Sequence, residues 1–150
     1  CKQTKCANLE VTGKTVLQDV EAQQAIAIIG KTTGYNTTCR ILSIVGKTNL
    51  SDVTAEKATI VGDIFATKTH FESAVITTSN TTFNDCTIDA LYVQKNNEKT
   101  APTITILNTI HSPTKGIVKI VCEDPATKIM YGKGAIKALE IAGTTNIIYE

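Results

Sequence analysis

Short apolar runs recur along the chain at nearly equal distances, separated by polar residues and glycine. The string TVLQDV begins at Thr15, TNLSDV at Thr48 and TTFNDC at Thr81, so one register returns at a constant interval. Each copy leads into a further apolar run, which reads AIAIIG, ATIVG or ALYVQ. A fixed period is typical of a solenoid, in which each unit buries its apolar side by stacking on its neighbours.

Glycines divide this period in half. Gly13, Gly30, Gly46 and Gly62 follow one another at nearly equal intervals. Glycine adopts positive φ at no steric cost, which suits a tight corner. A coil of about 16–17 residues therefore predicts three short strands joined by corners.

A helix is the alternative for the first copy, because VLQDVEAQQAIAI has an amphipathic pattern. Its repeat partners are rich in Thr, Asn and Asp, which disfavour helix interiors. Thr makes up one residue in six and accompanies many Ile and Val, which fit the pleated surface of a sheet. Since three copies of one register should adopt one structure, we predict strands throughout.

The predicted fold is an all-β, single-domain parallel β-helix with a C-terminal cap. Residues 1–8 are predicted to be a flexible tether and 9–150 the solenoid domain. Within that domain, 9–93 should form regular coils, 94–102 a polar loop, and 103–150 the last coils and the cap. The cap would cover the open edge of the last coil.

The repeat also predicts which side chains point inward. The core should contain Leu17, Val20, Leu50, Val53, Ile60, Ile64, Phe71, Phe83 and Cys86. The corners should contain the four glycines together with Asp19, Asp52 and Asp85. These aspartates recur every second coil, roughly 9–10 Å apart. We therefore interpret them as turn residues that bond their own backbone rather than as a calcium or acid–base site.

The tripeptide GKT, which ends a phosphate-binding loop, occurs at Gly13, Gly30 and Gly46. Such a loop needs a further glycine five residues earlier, so that backbone N–H groups close around a phosphate. Asn8, Ala25 and Ile41 stand at those places instead. We predict three equivalent corners and no cofactor.

Neither the distribution of charge nor the titratable residues indicate a catalytic reaction. The net charge is +1 and the charges are scattered along the chain, which argues against a nucleic-acid footprint or a polybasic membrane patch. There are two histidines: alternation points His70 outward, and no spacing places His111 near a nucleophile. We predict no catalytic or metal-binding residues.

Five cysteines occur without a CxxC spacing, so a metal cluster of cysteines is not expected. Cys39 and Cys86 lie in apolar stretches and should be buried. Cys6 and Cys39 are a possible disulfide, which spacing alone does not establish. Cys1, followed by a polar stretch, resembles the lipid-carrying cysteine of a mature bacterial lipoprotein, and a trimmed start is the alternative.

The segment IVGDIFATKTHFESAVI, from Ile60 to Ile76, resembles the repeat of the bactofilins. The shared pattern is apolar–x–Gly–Asp–apolar–x–Ala followed by two more inward apolar residues. The resemblance covers this one coil. It implies a right-handed parallel β-helix of short coils and, in that family, polymerisation end to end without nucleotide.

Together these features predict a non-enzymatic structural or protein-interaction module of the bacterial cell envelope. It would be held at the membrane by lipid on Cys1 and would bind an unidentified protein or itself, without nucleic acid. One alternative is a bactofilin-like filament subunit in the cytoplasm. The other is a carbohydrate-active β-helix enzyme, although Arg40 is the sole arginine and the coils leave little room for a groove.

Overall fold

The chain forms one parallel β-solenoid, as predicted, and the structure shows that it has about eight turns. The computed structural model describes residues 2–108, 116–132, 134, 135, 137, 138 and 140–149. Within these residues all paired strands are parallel and no helix occurs. The strands are β1 (Lys2–Thr12), β2 (Thr15–Ile29), β3 (Thr32–Val45), β4 (Thr48–Val61), β5 (Ile64–Thr67), β6 (His70–Thr77), β7 (Asn80–Asn84), β8 (Thr87–Gln94), β9 (Thr103–Leu107), β10 (Ile117–Cys122), β11 (Lys128–Tyr131), β12 (Glu140–Ala142) and β13 (Asn146–Tyr149).

Each regular turn has three straight segments. Inward and outward side chains alternate within a segment, and two adjacent outward residues mark a bend, as at Tyr35-Asn36 and Arg40-Ile41 in β3. The third bend is the Gly-Lys corner. We name the three sides in chain order: face A runs from the Gly-Lys corner to the first bend, face B lies between the two bends, and face C runs from the second bend back to the next Gly-Lys corner.

The GKT tripeptide forms this third bend, and no phosphate loop is involved. Gly13, Gly30 and Gly46 have φ values of 103°, 137° and 139°. The following lysine points outward and the threonine points inward, where its hydroxyl donates to the glycine carbonyl. That bond is 3.0 Å from Thr15 to Gly13 and 3.0 Å from Thr48 to Gly46. Threonine thus enters the core with its polar group satisfied.

Close stacking makes glycine necessary at the inner corners. A Cβ atom on Gly30 would lie 2.3 Å from the carbonyl oxygen of Gly13, and one on Gly46 would lie 2.3 Å from that of Gly30. At Gly62 the distance to the Gly46 oxygen would be 2.5 Å. No side chain fits between turns at these positions.

The bend between faces A and B is a column of residues in left-handed conformation. Asp19, Asp52 and Asp85 have φ values of 54°, 54° and 53°. Asn36 occupies the intervening turn at φ 45°, and its amide donates to the Asp19 carboxylate at 2.7 Å. Asp and Asn tolerate this conformation better than most residues. The predicted corner position is therefore occupied, but its cause is the left-handed backbone and not a carboxylate bond to the residue's own backbone.

The core fills the inside of the coil. All nine residues predicted to be inward lie in it, each at most 3% exposed. One column under face A reads Leu17, Gly34, Leu50, Ala66 and Phe83. Large and small side chains alternate there from turn to turn, so that they interlock at high density. This alternation explains why the sequence repeats over two turns and not one.

The N-terminal prediction was wrong. Residues 2–8, expected to be a flexible tether, lie in β1, which pairs with β2 from Lys2 opposite Gln18 to Thr12 opposite Ile29. Cys6 and Leu9 pack against the core. Cys1 lies outside the described residues, and its lipidation stays a prediction.

The C-terminal region continues the stack. Gln94 ends β8, residues 95–102 connect it to β9, and Ile104, Ile129 and Ile147 extend the inward column that contains Thr81. The Tyr149 ring stacks on Tyr131 with centroids 5.6 Å apart. Within the described residues, the turns after 103 are shorter and the stack ends at β12 and β13, while the cap predicted in 103–150 stays a prediction.

Candidate functional site

One of the two histidines lies within the described residues, and it lines a shallow open cavity together with Glu56 and Glu72. His70 is exposed on face B, between Thr54 and Thr87 of the adjacent turns. His111 lies outside the described residues. Among the residues that are described, no group of three His, Cys, Asp or Glu side chains is placed to hold a metal ion.

The thiols of Cys39, Cys86 and Cys122 are buried, and burial lowers their reactivity. Burial raises the pKa of Cys39 to about 12 and the pKa of Cys86 and Cys122 to about 11. The Cys86 thiol donates to the Ala66 carbonyl at 3.3 Å. Because the thiolate is the nucleophile, a raised pKa disfavours covalent chemistry at these positions.

The proposed Cys6–Cys39 disulfide is absent. Both residues are free thiols. Cys6 pairs with Ala22, and Ala22 lies one turn before Cys39 in the same column. Two turns separate the cysteines by roughly 9–10 Å, whereas a disulfide needs Cα atoms within about 7 Å.

Two sides of the solenoid have uncharged outward side chains over several turns: face C over the five turns that contain β2, β3, β4, β6 and β8, and face A over six. On face A, the outward side chains of these six successive turns include no Asp, Glu, Lys or Arg. They are Val16, Gln18, Thr33, Tyr35, Asn49, Ser51, Phe65, Thr67, Thr82, Asn84, Thr105 and Leu107. Depletion of charge with exposed aromatic residues is the compositional mark of the centre of a protein interface.

Two aromatic side chains stand near the centre of face A. Tyr35 is 48% exposed and Phe65 is 49% exposed. Together with Asn49 and Ser51 they line a shallow cavity of about 270 Å³. Rigid aromatic side chains beside small polar groups can anchor a protein partner at low entropic cost.

Face B has the opposite chemistry. Lys5 pairs with Glu21 at 2.8 Å, and at the adjoining bend Arg40 pairs with Glu56 at 3.2 Å. These side chains are solvent-exposed, and such ion pairs contribute little to stability. Face B is a solvated surface.

Sequence reasoning missed face A as a unit. Successive side chains in each of its columns are separated by one full coil of sequence, so no local stretch looks uncharged or aromatic. The signal was present in the period itself: every second residue after each Gly-Lys corner could have been read down the turns as one column.

No family model matches the chain, and no curated protein or solved structure matches it. The likeness to bactofilins therefore rests on the sequence of one coil. Within the described residues there is no helix of the length and apolarity required to span a membrane.

Proposed function

We propose that this protein is a non-enzymatic structural module of the bacterial cell envelope that associates with a second copy of itself through face A. The observation that supports this most is the absence of charge from the outward side chains of face A over six turns. A rigid stack of parallel strands with a flat, uncharged, partly aromatic side is suited to docking and not to a reaction.

A second copy is the occupant favoured by symmetry. In a two-fold dimer the same surface meets itself, so any charged column would bring like charges together or bury them unpaired. Face A avoids both costs. Tyr35 and Phe65 would supply the apolar anchors, while Asn49 and Ser51 offer hydrogen bonds to the opposite sheet.

The size of the face sets the expected strength. Six strands spaced by ~4.8 Å and four to five residues wide give an uncharged face of roughly 29 Å by 15 Å, about 430 Å². Stable complexes bury about 800 Å² per partner. We therefore expect a weak dimer in reversible equilibrium with the monomer.

Sedimentation velocity over a concentration series tests this. The parent chain should shift from monomer to dimer, and Tyr35→Lys should keep it monomeric by placing a charge in the interface. Thr54→Lys adds the same charge to face B and should leave the equilibrium unchanged.

Two results would contradict the proposal. If the parent stays monomeric at all concentrations, face A does not bind a second copy. If the mass grows without limit and Tyr35→Lys does not prevent it, the filament alternative gains support. The envelope location remains a hypothesis from the sequence, for which incorporation of labelled lipid at Cys1 is the direct assay.

A further inference from the structure

Three lysines stack at the Gly-Lys corner, where face C meets face A. The Thr15 N–H donates to the Lys31 carbonyl at 2.9 Å, and the Thr32 N–H donates to the Lys47 carbonyl at 3.0 Å. Lys14, Lys31 and Lys47 therefore occupy the same place in successive turns, ~4.8 Å apart. All three are exposed.

These lysines have no ion-pair partner among the described residues. Asp63 is next in the column, but its Oδ1 accepts from the Asn80 N–H at 3.1 Å on the side away from Lys47. Like charges on adjacent strands repel. An external anionic surface would relieve this repulsion.

An aliphatic column runs beside the lysines, at the edge of face C. Ile29, Val45 and Val61 are paired in register and are 61%, 50% and 41% exposed. Ile29 and Val45 each stand two residues before a lysine of the lysine ladder, which is the column Lys14, Lys31 and Lys47. The corner thus presents a strip of positive charge alongside a strip of branched apolar side chains.

Seven carboxylates lie on the other side of the molecule, whereas two, Asp63 and Glu98, lie around the cavity at the end of the lysine column. The bend between faces A and B, face B itself and the bend beyond it contain Asp19, Glu21, Asp52, Glu56, Glu72, Asp85 and Asp89. The positive residues on that side are fewer, and two of them, Lys5 and Arg40, are paired. In the electric field of an anionic surface, the solenoid would turn its lysine corner towards that surface.

We propose that the lysine corner docks lengthwise on an anionic phospholipid bilayer. The three ammonium groups contact lipid phosphates, and Ile29, Val45 and Val61 enter the boundary between head groups and acyl chains. A nucleic acid would also attract the lysines, but it would leave the aliphatic strip in water. Most of face A remains free in this orientation, so the inference does not depend on the proposed dimer.

The test is co-sedimentation of the full chain with vesicles of phosphatidylcholine, with and without about one quarter phosphatidylglycerol. Binding should require the anionic lipid and weaken from about 0.05 to about 0.5 M salt. Each lysine should contribute about five-fold, so Lys31→Gln with Lys47→Gln should weaken binding by roughly 25-fold.

A matched control removes the same charge elsewhere. Lys57→Gln with Lys68→Gln lowers the net charge equally, away from the ladder, and should retain most of the binding. The proposal is overturned if both double variants bind equally weakly, because net charge alone would then be responsible. Circular dichroism should be unchanged in both, since all four positions lie on the outside of the coil.

The aliphatic strip separates a bilayer from other polyanions. Ile29→Thr with Val45→Thr keeps β-branched residues and should weaken vesicle binding several-fold. If this variant binds like the parent, or if inorganic phosphate at constant ionic strength displaces the protein from vesicles, the lysines recognise phosphate or a polyanion and the bilayer is the wrong ligand.

Discussion

The turns before and after residue 94 stack the same inward columns, but their corners differ in length. In the first region Gly13, Gly30, Gly46 and Gly62 close four turns within a short Gly-Lys or Gly-Asp step, and Thr78-Ser79 closes the next. In the second, the corresponding corner expands to residues 95–102, and later to the Asp124–Thr127 turn, where the Ala126 N–H donates to the Asp124 carboxylate at 2.9 Å. The inward columns continue through both regions.

The register of the stack and the length of its period depend on different parts of the chain. Leu91 and Ile120 pair directly although a long connection lies between them in the chain, and both are fully buried. Burial of the inward columns therefore fixes which residues stack. The corners determine only how many residues separate one strand from the next. A corner can be longer wherever its loop can extend outward into solvent.

The largest effect should come from breaking a column. Ile60 is 1% exposed in β4, and Ile60→Asp would leave an unpaired charge between Ile44 and Ile76 of the adjacent turns. We expect loss of the folded state, because an isolated buried carboxylate costs more than a domain's net stability. Circular dichroism and thermal melting test this.

Thr59→Asp is the control for that experiment. Thr59 is the outward neighbour on face C and is exposed, so the same carboxylate would remain hydrated. It should melt within a few degrees of the parent. Two variants with equal melting temperatures would mean that the inward column of face C has been misplaced by one residue.

Breaking a corner should cost less than breaking a column. Gly46→Ala would place a Cβ atom 2.3 Å from the Gly30 oxygen at φ 139°, whereas Gly13 has nothing within 4 Å of its Cβ position. We expect Gly46→Ala to lower the free energy of unfolding by about 3 kcal/mol and Gly13→Ala by about 1 kcal/mol. Urea unfolding of the two variants measures the difference.

Equal losses in the two glycine variants would show that positive φ, and not the close stacking of turns, makes glycine necessary at this corner. A larger loss for Gly13→Ala would contradict the stacking explanation outright, since of these two glycines Gly46 alone faces a carbonyl oxygen.

The inward columns could be predicted from the sequence, whereas the irregularities between them could not. Inward columns follow a simple period, so Leu17, Leu50 and Phe83 could be aligned without a structure. The extra residue of the second coil could not be placed, because it forms an irregularity between Glu21 and Ala25 that leaves no mark in composition. An alignment of Ala25 with Ala58 is consequently wrong by one position: Ala25 pairs with Ile41, and Ala58 pairs with Leu42.

Surface columns were harder to predict than inward ones. The lysines of the ladder looked scattered along the chain, yet a full coil of sequence separates side chains that are neighbours in space. Interpreting charge by local blocks misses this, because in a solenoid the nearest neighbour of a corner residue is on the next turn and not the next position.

One buried thiol from each region should affect stability only at high pH. Burial raises the pKa of Cys39 to about 12 and that of Cys122 to about 11, from an ordinary value of 9.0. An unfolded chain releases these protons above pH 9, while the folded chain retains them. The resulting stabilisation is complete below pH 9 and is lost as the pH rises, by about 1.4 kcal/mol per pH unit for each thiol.

Urea unfolding between pH 8 and pH 11 should therefore show a shallower decline for Cys39→Ala and for Cys122→Ala than for the parent, whatever each variant loses in packing. Slopes identical to that of the parent would mean that both thiols titrate normally in the folded chain. Water would then reach the inward columns in both regions, and the longer corners after residue 94 would make no difference to how well the coil excludes it.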